Sequence, residues 1–284
     1  MSTGNKVISA KLDIVFKMLF ANEKNLDILE AFLSDLLDIP PGELHNVKVK
    51  NPEIEGSQID EKYYRLDLNL DIGNQLVNVE MQVRQEKYFA DRSLVYWSKL
   101  YSSQLDTGEK YTELCPCIAV NIMDYIAFDK HEDFHSKFEA WDVEHNHKLS
   151  DKMEIHFFEL KKVEDKPDAS NRKKLWLQFI KADTEEAFAM LENVGIPEIT
   201  KGVHAIYAMN SDEKAKEFIR MREKALHDRA SELAAEREEG IAIGRAEGKA
   251  EGRAEGRAEM GAEIAARMRA AGIPESEIQK FIKG

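Results

Sequence analysis

The order of apolar patterns along this chain predicts an α/β domain: one sheet with helices on both of its faces, followed by a helical extension and a repetitive C-terminal tail. Three observations lead there. Apolar residues recur at helical spacing before residue 40 and again between about 171 and 237. A β-hairpin pattern occupies residues 64–84, and two nearly continuous apolar runs follow at 115–123 and 153–160, as strands covered on both faces would read. At 284 residues and 43% hydrophobic, the chain is long enough for one well-buried domain with an appendage.

Residues 10–37 place Leu12, Phe16, Leu19 and Phe20 on one helical stripe and Ile28, Leu29, Phe32, Leu33 and Leu36 on another, and Pro40-Pro41-Gly42 ends the run. A strand is expected at 46–54, then the hairpin, a helix from about Tyr88 to Asp106, and the two apolar strands. The element order is therefore α, β, β, β, α, β with one further strand. From Asn171 to about Arg237 the segments read as helices, broken at Gly195-Ile196-Pro197 and at Asn210-Ser211-Asp212, with Ser211 as an N-cap.

Glycine then recurs every fourth residue at 240, 244, 248, 252 and 256, interleaved with Arg or Lys, Ala and Glu. On a helix, steps of four make slowly winding ridges of uniform chemistry. Like charges at i and i+4 disfavour the isolated helix, and each Gly costs about 1 kcal/mol relative to Ala. The stretch reads either as a flexible polar tether or as an element through which copies of the chain form a homo-oligomer, Gly ridges in close approach and Arg/Lys rows against Glu rows.

The hairpin carries the chemistry. With Gly73-Asn74 as a two-residue turn, opposed residues number to a constant sum, so Leu66 faces Met81, Leu68 faces Val79 and Leu70 faces Val77. The other face pairs Arg65 with Gln82, Asn69 with Asn78 and Asp67 with Glu80. Like charges across one rung destabilise a sheet by roughly 0.2–1 kcal/mol, so the pair calls for a cation. Oxygen-only ligation by one or two carboxylates suits Mg²⁺ or Mn²⁺ better than zinc. A metal held so activates water and neutralises charge on a phosphate oxygen, the main demands of phosphodiester hydrolysis. The alternative is an ordinary amphipathic hairpin whose solvated face carries two acids.

Composition narrows the partners. A formal net charge of −13 argues against a protein that coats nucleic acid nonspecifically, while leaving room for an enzyme that grips a few phosphates locally. No apolar run approaches the roughly 18 residues of a membrane span, and MSTGNKVISAKLD has no signal-peptide core, so a cytoplasmic location without membrane contact is expected. The two cysteines, Cys115 and Cys117, read as buried thiols at the start of a strand. His131, His135, His145 and His147 fall close together, but their spacing matches no closed zinc set.

The hairpin with Asp67, Glu80 and Gln82 resembles the PD-(D/E)XK nuclease core, and its surroundings resemble the Rpn branch, recombination-promoting nucleases also classed as transposases. The matching segments are LDIVFKMLF at 12–20, RLDLNLDIGNQLVNVEMQ at 65–82, RSLVYWSKLYSSQLDTGEKYTEL at 92–114, and FHSKFE and IHFFEL within 134–160. The resemblance implies an α-β-β-β-α-β core with a mixed sheet in a nuclease domain over 1–165, a helical extension over 166–237 and the repeat tail over 238–284, ending in a short helix. It implies a metal-dependent DNA endonuclease in recombination or mobile-element biology, with Asp67, Glu80 and the Met81 carbonyl on Mg²⁺ or Mn²⁺. Gln82 stands where the superfamily usually has Lys; it can orient the attacking water but brings no charge, so activity is expected to be weak, or the chain is a catalytically weakened DNA-binding or interaction module. Leu66 replaces the usual Pro.

Asp13 and Lys17 lie one turn apart on the first helix and share a face. Either they reach the site, Asp13 as an extra acid near the metal water and Lys17 as replacement for the missing cation, or they form a surface ion pair. Arg92, Tyr96 and Gln104 sit on the helix after the hairpin, placed for phosphate or base contacts, with packing the alternative for Tyr96.

Overall fold

The computed structural model describes residues 5–40, 43–44, 47–50, 67–72, 74–85, 87–106 and 108–283, with residues 282 and 283 by backbone alone. Helices α1 (Asp13–Phe20) and α2 (Leu26–Leu37) are joined by a short 3-10 turn that opens on Asn22, whose side chain accepts from the Lys24 N–H. Asp38 ends α2 in the left-handed region at φ 55°, a conformation short polar residues tolerate, and its N–H closes on the Ser34 carbonyl.

Strands β1 (Val47–Val49), β2 (Leu68–Ile72) and β3 (Leu76–Gln82) are followed by helix α3 (Phe89–Ser102) and strand β4 (Cys117–Met123). Then come β5 (His135–Phe138), a two-stranded ribbon of β6 (Trp141–Asp142) and β7 (His147–Lys148), and β8 (Met153–Glu159). Six strands form one mixed sheet in the order β1-β2-β3-β4-β8-β5. Its centre, β3-β4-β8, is parallel and its flanks are antiparallel. Every residue of β4 is buried, which is why that strand reads as an apolar run interrupted only by Asn121. It starts at Cys117 and not Cys115, just after Pro116, a residue with no N–H to give to a ladder.

Helices α4 (Arg172–Lys181), α5 (Glu185–Glu192) and α6 (Pro197–Ser211) follow, capped by Asn171, by Thr184 and by proline at the first helical position. Helix α7 (Glu213–Ala270) runs through the glycine repeat, and α8 (Glu275–Lys283) closes the chain. The N-cap of α7 is Asp212, whose carboxylate accepts from the N–H groups of Lys214 and Ala215; Ser211, expected in that role, instead donates its hydroxyl to the Tyr207 carbonyl inside α6. The chain divides into two compact units, Met1–Ala225 and Leu226–Gly284. In the second, Ala265 and Ile278 are buried. No helix of the described residues is long and apolar enough to cross a membrane.

The sheet of the first unit has two unlike faces. Val77, Val79, Met81, Ile118, Val120, Ile122 and Phe158 join the main core with α1, α2, α4, α5 and α6. At its heart Trp176 packs edge-on to Phe32 with centroids 5.6 Å apart, and Phe32 stacks on Phe20 at 4.6 Å. On the opposite face α3 lays Phe89 and Trp97 over Ala119, Met123, Ile155 and Phe157. Helix α3 thereby covers a face that strand alternation alone assigns to solvent, and Asn78, Glu80, Gln82 and Asn121 are buried polar groups.

Edge strand β5 carries a titrating feature. The His135 ring stacks on Phe158 at 4.3 Å, and its Nε2 lies 3.0 Å from His156 Nδ1. Burial, then the neighbouring His156, pushes His135 down to about 4. A histidine kept neutral by folding binds its proton more readily in the unfolded chain, so its contribution is complete above about pH 6.5 and is lost as pH falls through 4. The melting temperature should therefore decline between pH 7 and 4, and less steeply in His135→Phe, which keeps the stack without the titration; parallel pH profiles would refute the assignment.

Candidate active site

The β2–β3 ladder pairs Leu68 with Val79, Asn69 with Asn78, Leu70 with Val77 and Asp71 with Leu76, the constant-sum register of a two-residue turn. The Ile72 N–H donates to the Gln75 carbonyl across that turn at 2.9 Å. Gly73, Arg65 and Leu66 lie outside the described residues, and with them the Leu66/Met81 and Arg65/Gln82 pairings. Asp67 is described as the half-buried residue immediately before β2. Since Leu68 and Val79 share the core face, alternation carries Asp67 and Glu80 to the face under α3.

Glu80 is 1% exposed. Its neighbour across the parallel ladder is Asn121, whose amide donates to Ser93 Oγ at 2.9 Å and to the His156 carbonyl at 3.1 Å, tying α3 to the sheet beside the acid. Arg92, one turn into α3, places Nη2 2.8 Å from Glu80 Oε1 and 3.4 Å from Gln82 Oε1. The guanidinium also lies 4.6 Å from the Phe89 ring centroid and 5.7 Å from that of Tyr96. Gln82, at the end of β3, donates from Nε2 to the Arg84 carbonyl at 2.7 Å. Met81 turns its side chain into the main core.

Lys17 is buried on α1. Burial pulls its ammonium below the usual lysine range, and the negative charge of Asp67 opposes that pull, which places the two within electrostatic reach. Asp13 heads the same helix, accepts the Ile14 N–H at 2.8 Å and takes a two-pronged contact from Arg222 of α7, whose Nε lies 3.1 and 3.2 Å from its two oxygens. Arg222 is buried. Nothing in the sequence marks it: it is one of several arginines in a long polar helical stretch, and its partner is 209 residues away. Gln104 engages elsewhere, its amide bonding the Cys115 carbonyl at 3.1 Å and its oxygen accepting the Cys115 N–H at 2.8 Å. Burial, then Cys115, pushes the adjacent Cys117 thiol up to about 12, so it stays protonated.

At the carboxyl end of the parallel strands, the Asp124 N–H donates to the Gln82 carbonyl at 3.0 Å, and the Asp124 carboxylate lies between Lys11 at 3.6 Å and Lys161 at 3.3 Å. Asp67 and Glu80 offer the carboxylate oxygens that Mg²⁺ or Mn²⁺ accepts alongside several retained waters; among the described residues no group of three or more His, Cys, Asp or Glu could hold a metal ion.

A mixed sheet with helices on both faces, whose β2–β3 hairpin carries Glu80 and Gln82 with Asp67 just ahead of β2, defines a nuclease core of the PD-(D/E)XK type. The chain belongs to the PD-(D/E)XK nuclease family transposases, whose family model matches residues 10–236. No curated protein and no solved structure matches it.

Proposed function

We propose that the protein is a divalent-metal-dependent DNA endonuclease acting in recombination or mobile-element biology in the cytoplasm. The observation that carries this reading is the hairpin register, which sends Asp67 and Glu80 to the same face of the sheet. In it Asp67, Glu80 and the Met81 carbonyl hold Mg²⁺ or Mn²⁺, which when bound lowers the pKa of a coordinated water and screens phosphate charge. Gln82 orients the attacking water. Lys17 supplies positive charge beside Asp67, and Asp13, held by Arg222, lies one turn before it on α1. Lys11 and Lys161, shared by Asp124 at the strand ends, receive the DNA backbone.

Plasmid nicking with Mg²⁺ or Mn²⁺ tests the reading: Asp67→Ala should lose about 10²-fold or more in rate. Equal nicking by wild type and variant would mean that the activity comes from a contaminant.

A second reading, an interaction module working through the 238–284 tail, is favoured by α7 itself. Residues 240–259 offer no opposite charges at i±3 or i±4, and among the described residues no ion pair forms within 239–262. Such a helix gains most from another copy that sets Arg/Lys rows against Glu rows. Ending the chain at Arg237 should reduce the mass measured by light scattering to that of a monomer; an unchanged mass would eliminate self-association through the repeat.

A further inference from the structure

Gln82 brings no positive charge to the motif, and besides Lys17 on the Asp67 side a second cation, Arg92, touches the motif directly. A single nitrogen of its guanidinium contacts both the acid and the amide of the hairpin motif, 2.8 Å from Glu80 Oε1 and 3.4 Å from Gln82 Oε1. The side chain keeps 18% of its surface open to solvent, whereas Glu80 keeps 1%. The guanidinium carbon lies over the Phe89 and Tyr96 rings, 4.6 and 5.7 Å from their centroids.

Glu80 Oε1 cannot serve a divalent ion and this guanidinium equally well, because two cations on one oxygen repel at such spacing. Metal binding and the Arg92–Glu80 pair therefore compete. An arginine released on α3 keeps a planar fork that matches a phosphate, and it starts from the solvent-facing side of the pair.

We infer that Arg92 is a two-position cation: it neutralises Glu80 while no metal is bound and turns to a phosphate of the DNA once a metal takes the carboxylate, supplying the charge that Gln82 lacks. This rests on the reading of Asp67 and Glu80 as metal ligands. The exchange makes metal and DNA binding mutually supportive, since each ligand relieves the other of a competitor. It also keeps the metal-free protein from holding DNA strongly, because the guanidinium is then occupied by an internal carboxylate.

The test uses the full chain and two readouts besides cleavage. Calorimetric titration with Mn²⁺ should show Arg92→Gln binding the ion about tenfold more tightly than wild type, its competitor gone, while plasmid nicking falls about 10²-fold. Arg92→Lys, which keeps the charge and loses the fork, should recover part of the nicking. In the absence of metal, Glu80→Gln should bind a duplex oligonucleotide more tightly than wild type, with the slope of log affinity against log salt steeper by about one, and Arg92→Gln added to it should cancel that gain. This arm remains informative if Arg92→Gln alone fails to fold. Mn²⁺ affinity unchanged or weakened in Arg92→Gln, or metal-free DNA affinity unmoved by Glu80→Gln, overturns the exchange while leaving a nuclease that nicks through Asp67 intact. Absence of any metal-dependent nicking by wild type would instead remove the reading beneath it.

Discussion

Glu80→Ala is expected to lower the unfolding free energy of the protein by about 2–4 kcal/mol. The pair it breaks is buried on the acid side and largely buried on the arginine side. Removing one member of a buried ion pair costs about 3–5 kcal/mol because the survivor's charge stays desolvated, and the open fraction of Arg92 brings the figure down. Glu80→Gln keeps an acceptor for Arg92 Nη2 and should cost about 1–2 kcal/mol less. Urea unfolding should show the midpoint shift at constant m-value, which marks a change of stability and not of compactness. A loss below about 0.5 kcal/mol in Glu80→Ala would mean that the 2.8 Å contact contributes little in solution.

Trp176→Ala is expected to cost about 3–5 kcal/mol, the range for deleting a large aromatic from a closed core. Trp176 is fully buried between Phe32 and Phe179, with ring centroids at 5.6 and 5.8 Å. Its indole N–H donates to Asp35 Oδ2 at 2.7 Å, and the same carboxylate oxygen takes Arg172 Nε at 2.9 Å. Alanine would leave a cavity where α2 meets α4 and take one donor from Asp35. For a unit of this size each kcal/mol moves the midpoint by about 2–4 °C, so thermal unfolding should fall by about 6–20 °C. Trp176→Phe separates the two contributions: it retains most of the packing, loses the N–H, and should cost about 1–2 kcal/mol. Equal losses in the two variants would assign the stability to the hydrogen bond alone.

The hairpin was readable because a two-residue turn leaves a single register, and residues 68–79 pair as their numbers require. The burial of Glu80 was not, since alternation separates two faces without saying what covers each. Helix α3 covers the polar one, and its contribution is small in sequence terms: Phe89, Ser93 and Trp97 on a helix otherwise well exposed. Arg92 could be picked out as a functional candidate, yet its partner could not, because contact with Glu80 depends on the angle at which α3 crosses the sheet. Asp13 is the same problem at longer range. Its spacing from Lys17 was plain, but Arg222 comes from a helix whose local pattern carries no information about α1. Strands β5, β6 and β7 are two to four residues long and too short for a periodic signal, and β5 is recognised only through its pairing with β8.

The two-pronged grip of Arg222 on Asp13 stitches the amino-terminal helix to a point four-fifths of the way along the chain. Any attempt to excise a minimal folded fragment that keeps this contact must therefore carry the polypeptide past that arginine. A truncation after the last sheet strand would strip the aromatic nest of Trp176 and leave Phe20 and Phe32 facing water, so the shortest soluble piece is set by the return of a distant helix and not by the end of the sheet.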